Sequence, residues 1–146
     1  MPQAPDIRSG TVISGTFTDR TFGFTVPVPE GWVVEAGPES GRMRVALDHV
    51  PTGTRVEMWV FEGGALEPRM REGCEWRFQD TGHFSVLESM GEVSVATCVP
   101  DDPEGARVYA YFFSRDTRVV QLEVHTPSAT LVTGKSAGDD VIRGLR

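Results

Sequence analysis

The sequence predicts an α+β domain built on antiparallel sheet, and three observations carry that prediction. Short runs in which apolar and polar residues alternate recur along the chain, separated by Gly- and Pro-containing turns. Two of these runs are apolar on both faces, as in a sheet covered on each side. Helical spacing occurs in only two places, so seven or eight strands in hairpins with two helices laid on them is the economical arrangement.

Met1 to Ser9 carries two prolines and no apolar periodicity, which predicts a flexible N-terminal arm ahead of a single domain over 10–146. At 146 residues the chain suffices for one core. Thr11 to Thr18 is rich in β-branched residues and predicts a strand, with a turn at Asp19 and Arg20. A second strand follows over Thr21 to Val28, where Phe22, Phe24, Val26 and Val28 share one face. Pro27 lacks an N–H and puts this strand at an edge or ends its ladder. Pro29-Glu30-Gly31-Trp32 reads as a turn, and Trp32 to Val34 resumes extended chain.

Arg42 to His49 and Thr54 to Phe61 are the next strands, joined through Val50 to Gly53. In the second of them Val56, Met58 and Val60 face one way, and Trp59 and Phe61 face the other beside Glu57. Leu66, Met70, Cys74 and Phe78 at steps of four predict a helix over Glu67 to Phe78, although Gly73 within it costs about 1 kcal/mol. His83 to Glu88 and Glu92 to Cys98 read as a hairpin, and Val99 to Gly105 as an acidic loop. Ala106 to Phe113 and Arg118 to His125 form another hairpin through Ser114 to Thr117, with Val108, Ala110 and Phe112 opposed to Tyr109, Tyr111 and Phe113. Thr126-Pro127 breaks the run, and Asp139 to Arg146 predicts a short C-terminal helix with its acids at the favourable end.

A formal charge of −7, with 14 basic residues spread among 21 acids, argues against nucleic acid as a partner. No window approaches 18 apolar residues, so no membrane insertion is expected. Either the protein is cytoplasmic or an export signal has been removed ahead of Met1.

The sequence contains no S-x-x-K and no P-loop, and Gly63-Gly64 reads as a flexible turn. His49, His83 and His125 are scattered at strand ends without metal-ligand spacing and read as exposed polar groups. Asp101-Asp102 and Asp139-Asp140 read as a solvated loop and a helix start. No catalytic residue, metal or cofactor is therefore expected. Cys74 and Cys98 either form one disulfide, worth roughly 3 kcal/mol on the chain-entropy estimate, or are two small buried hydrophobes. The aromatics Trp32, Trp59, Trp76, Tyr109 and Tyr111 are the better clue, since such residues dominate partner contacts where they are not core. Glu57, Trp59 and Phe61 are the candidate partner-binding residues.

Gly15-Thr16-Phe17-Thr18-Asp19, followed by Phe22 to Val28 and the Pro29-Glu30-Gly31-Trp32 turn, resembles the Mog1/PsbP-like family. The likeness runs to Val141-Ile142-Arg143-Gly144-Leu145-Arg146. It implies a three-layer α/β/α sandwich around an antiparallel sheet and a mostly non-catalytic, protein-binding role. The DcrB-like group within it includes chaperones for secreted effectors, which carry Asp and Asn after the turn where this chain has Val33-Val34-Glu35. The functional expectation is a non-enzymatic protein-binding or assembly module of a larger bacterial-type complex. The alternatives are an effector chaperone or adaptor, and a small-ligand or metal-binding domain whose acids and histidines converge only in three dimensions.

Overall fold

Alternating side chains favour extended backbone, and the extended segments pair into two antiparallel sheets. The computed structural model describes residues 6–7, 10–13, 15–19, 23–36, 43–62, 74–79, 93–100, 106–115 and 118–146. The smaller sheet joins β1 (Asp6–Ile7), β2 (Gly10–Ile13), β3 (Thr16–Asp19) and β4 (Thr25–Pro27) in that order. The larger contains β5 (Trp32–Ala36), β6 (Met43–His49), β7 (Thr54–Glu62), β8 (Cys74–Gln79), β9 (Val93–Pro100), β10 (Arg107–Arg115) and β11 (Arg118–Thr126). Its spatial order is β5-β6-β7-β11-β10-β9-β8, which puts β11 at the centre. After a 3-10 turn at Ser128–Thr130 comes α1 (Leu131–Arg143), the one α-helix among the described residues.

Several expectations are corrected. The strand expected over Thr11 to Thr18 is the hairpin β2–β3, with Gly15 at φ 76° between the two. Within the stretch read as an arm, Asp6 and Ile7 pair with Thr11 and Gly10. The strand over Thr21 to Val28 shortens to β4, which is an edge strand and stops at Pro27, where the N–H is missing. The helix expected over Glu67 to Phe78 is overturned in its second half, because Cys74 to Gln79 are β8, paired along β9. Cys74, Trp76 and Phe78 also fit a period of two, and pairing with β9 gives this backbone its hydrogen bonds. Glu67 to Gly73, Gly63-Gly64, the His83 to Glu88 run and Asp101-Asp102 lie outside the described residues. Val99 and Pro100 extend β9 rather than opening a loop.

The turn from β4 into β5 is as expected: Trp32 N–H donates to Pro29 C=O at 3.2 Å, and Gly31 takes φ 91°. The β7 and β10 alternations also hold. Val56, Met58, Val60, Tyr111 and Phe113 line the face that packs on Phe17, Phe24 and Val26 of the small sheet and on Val141, Ile142 and Leu145. Phe24 meets Phe113 edge-on at 6.4 Å. Arg146 and Thr25 exchange both backbone hydrogen bonds, at 2.8 and 3.0 Å, and fasten the chain end to β4.

The C-terminal helix begins eight residues before the expected start, which moves Asp139 from a helix N-terminus into its interior. Asp139 is buried, with Oδ1 accepting from the Tyr111 hydroxyl at 3.2 Å and Oδ2 accepting from Lys135 at 2.7 Å. Burial, then the neighbouring Asp139 charge and its hydrogen bond, push the Tyr111 phenol well above the usual tyrosine range. The folded protein thus keeps this proton where the unfolded chain, titrating near pH 10, has lost it. Stability contributed by Tyr111 is complete below about pH 10 and is lost as pH rises above that value. Tyr111→Phe is expected to cost about 1 kcal/mol at neutral pH and to flatten the alkaline fall of stability. Chemical denaturation at neutral and alkaline pH measures both, and an unchanged alkaline slope would overturn this role for Tyr111.

Candidate functional site

The face of the large sheet turned away from α1 carries a polar cluster in its central strands. In β7 the residues on this face are Arg55, Glu57, Trp59 and Phe61, and the register sets them opposite His125, Glu123, Gln121 and Val119 of β11. Two glutamates therefore stand directly across from each other in the middle of a sheet, an arrangement that repels unless cations or donors compensate it. Glu123 is fully buried and Glu57 nearly so.

The compensation is specific. His125 Nε2 lies 2.9 Å from Glu123 Oε1 and 3.4 Å from Glu57 Oε1, bridging the pair. Arg55 Nε donates to Glu57 Oε2 at 2.8 Å, and Trp59 Nε1–H donates to Glu57 Oε1 at 3.0 Å. Gln121 Nε2 donates to Glu123 Oε2. Arg55 also pairs through Nη1 with Asp48, at 3.1 Å, and with Glu35, so the network runs from β5 to β11.

Burial alone would raise the Glu57 carboxyl, but the hydrogen bond and charge of His125, with the hydrogen bonds from Arg55 and Trp59, outweigh it and hold Glu57 well below the carboxylate range. Burial likewise works against the Arg55 charge, and its carboxylate partners override it upward.

Expected site residues are placed as follows. Glu57, Trp59 and Phe61 share one face, with the Trp59 and Phe61 rings stacked at 6.4 Å and 6°. Both rings are half-buried. Val33, on the same face in β5, is 54% exposed, so the β5–β7 flank is open where the β9–β10 half is buried at Ala96, Ala110 and Phe112. Cys98 in β9 pairs in register with Trp76, and Cys74 in β8 pairs with Pro100, two register positions along the same strand pair. Among the described residues no cysteine is free. Tyr111 is core and Tyr109 is partly buried against it.

The reading of the histidines as exposed polar groups is corrected. His125 is a half-buried bridge between carboxylates, and His49 lies under the Trp32 ring at 4.8 Å with Nδ1 2.7 Å from Thr52 Oγ1. His83 is outside the described residues. Sequence reasoning missed Arg55, Gln121 and Glu123, and read His125 as an exposed strand-end group. Gln121, Glu123 and His125 recur at every second position of an otherwise apolar strand, and that period would have put all three on one face.

Among the described residues, sheet order, one helix on one face and the polar cluster in the other define an antiparallel-sheet domain, and the chain has the Mog1/PsbP-like fold. The solution structure of cyanobacterial PsbP (CyanoP) from Synechocystis sp. PCC 6803 is similar over 90% of each chain, with a TM-score of 0.53 and 13% identity. No family model matches the sequence, and no curated protein matches it significantly.

Proposed function

We propose that this chain is a non-enzymatic protein-binding module that presents the open β5–β7 flank of its sheet to a partner protein. The stacked Trp59 and Phe61 pair, on the same sheet face as exposed Val33, carries this reading. Rigid aromatics sharing a face with Arg55 and its carboxylate partners have the composition of an interface centre with a polar rim. The fold is consistent with such a role. The three-layer sandwich belongs to the same proposal and is supported by the burial of Ala96, Ala110 and Phe112 on the face opposite α1, which a second covering layer would produce.

The effector-chaperone alternative finds no support in the groove beside α1. This groove, lined by Tyr109, Leu131, Val132, Lys135, Ser136, Asp139 and Arg143, has a volume of about 320 Å³. That is the lower end of small-ligand sites and too small to seat an amphipathic helix.

Trp59→Ala/Phe61→Ala and, separately, Val33→Glu test the partner surface. Proteins retained by the wild type in affinity capture are expected to be lost with both variants, while the thermal unfolding of Val33→Glu stays within a few degrees of wild type. Unchanged retention by folded variants would remove this flank from the interface.

A further inference from the structure

We propose that Glu57, Glu123 and His125 form a binding site for a divalent transition-metal ion of zinc type. This inference goes beyond the partner reading and does not depend on it.

The donor atoms are already gathered. One carboxylate oxygen from each glutamate and a ring nitrogen of His125 all lie within 4.8 Å of one another. The two separations from His125 Nε2, 2.9 Å to Glu123 Oε1 and 3.4 Å to Glu57 Oε1, bracket the edge of roughly 3.3 Å that tetrahedral zinc with bonds of 2.0–2.1 Å requires. Small side-chain shifts suffice to seat an ion between them.

The surrounding hydrogen bonds have the arrangement expected around metal ligands. Each glutamate has its Oε2 held from behind, Glu57 by Arg55 and Glu123 by Gln121, which turns both Oε1 atoms toward His125. Trp59 Nε1–H also donates to Glu57 Oε1, leaving that oxygen a further lone pair for an ion. The ligands sit on the two adjacent central strands, and rigid strands hold geometry better than loops.

Electrostatics favour the same conclusion. Two carboxylates opposed across central strands need two positive charges nearby, and Arg55 is shared with Glu35 and Asp48. A dication seated between the two Oε1 atoms would add favourable charge to the pair. One imidazole with two carboxylates suits zinc rather than magnesium or calcium, which prefer all-oxygen sets, or copper(I), which prefers thiolates. Three protein ligands leave a fourth position for water or for a side chain brought by a partner. His125 and Glu57 keep some exposure, which gives the ion a route in from that side, whereas Glu123 closes the floor.

The test uses the untagged chain, stripped with chelator and titrated with Zn²⁺ alone by calorimetry. One saturable site per chain is expected, weakened at least tenfold by each of Glu57→Gln, Glu123→Gln and His125→Gln and unchanged by His49→Gln. Because these variants also disturb a buried network, a second measurement uses only the wild type. Substoichiometric Co²⁺ should broaden the amide NMR signals of β7 and β11 around residues 57, 123 and 125 and leave those around His49 sharp. Absence of saturable Zn²⁺ binding, or Co²⁺ broadening centred elsewhere, would overturn the site.

Discussion

Gly134→Ala/Gly138→Ala is expected to lower stability by about 3 kcal/mol, although glycine to alanine in an unconstrained helix gains about 1 kcal/mol per site. The reversal comes from how closely α1 lies on the sheet. A Cβ at Gly138 would stand 2.5 Å from Val124 Cγ1, and one at Gly134 would collide with the hydroxyls of Thr54 and Thr126. Those neighbours are β-branched and have little rotamer freedom with which to give way. Thr54 donates to Thr126 at 3.4 Å and is reached through Thr52 from His49, so displacement of this pair reaches the β6–β7 turn. Thermal unfolding of the double variant should shift down by roughly 6–12 °C for a chain of this size. Thr133→Ala on the exposed side of the same helix should leave the midpoint level or slightly raised. A double variant as stable as the wild type would show that α1 is not seated on its glycines.

His125→Ala is the second large effect, expected to cost about 3 kcal/mol in chelator-treated protein at neutral pH. Removing the bridge leaves Glu57 and Glu123 opposed in the sheet, with one of them fully buried, and breaking a buried pair by deleting one partner is far more costly than never having formed it. The signature lies in the double variant. Adding Glu123→Gln to His125→Ala removes one of the two facing charges and should recover part of the loss, so the second substitution is less damaging, or even favourable, in the altered background. Denaturant midpoints for the four chains of the cycle measure this coupling. Strict additivity would mean that His125 does not neutralise the pair.

These two predictions separate what local sequence conveys from what it does not. Alternation is enough to group Val56, Met58 and Val60 on one face of Thr54 to Phe61, and Tyr109, Tyr111 and Phe113 on one face of Ala106 to Phe113, because strand parity is a local property. The Pro29 to Trp32 turn was equally legible, since proline and glycine specify their own backbone angles. Glu57 between Val56 and Met58 marked the site, but its partners Glu123 and His125 lie more than sixty residues further on and meet it only through the register of β7 on β11.

Local pattern sufficed for the antiparallel sheet, the edge at Pro27 and the face bearing Glu57, Trp59 and Phe61. It took long-range pairing to make Cys74 to Gln79 extend as β8, where spacings of four and of two competed and pairing with β9 chose between them. Tertiary packing also decided that α1 begins at Leu131, since glycines that weaken a helix locally are what let this one approach the sheet. The cluster at Glu57, Glu123 and His125 belongs with these, because like charges are brought face to face only by pairing between distant strands.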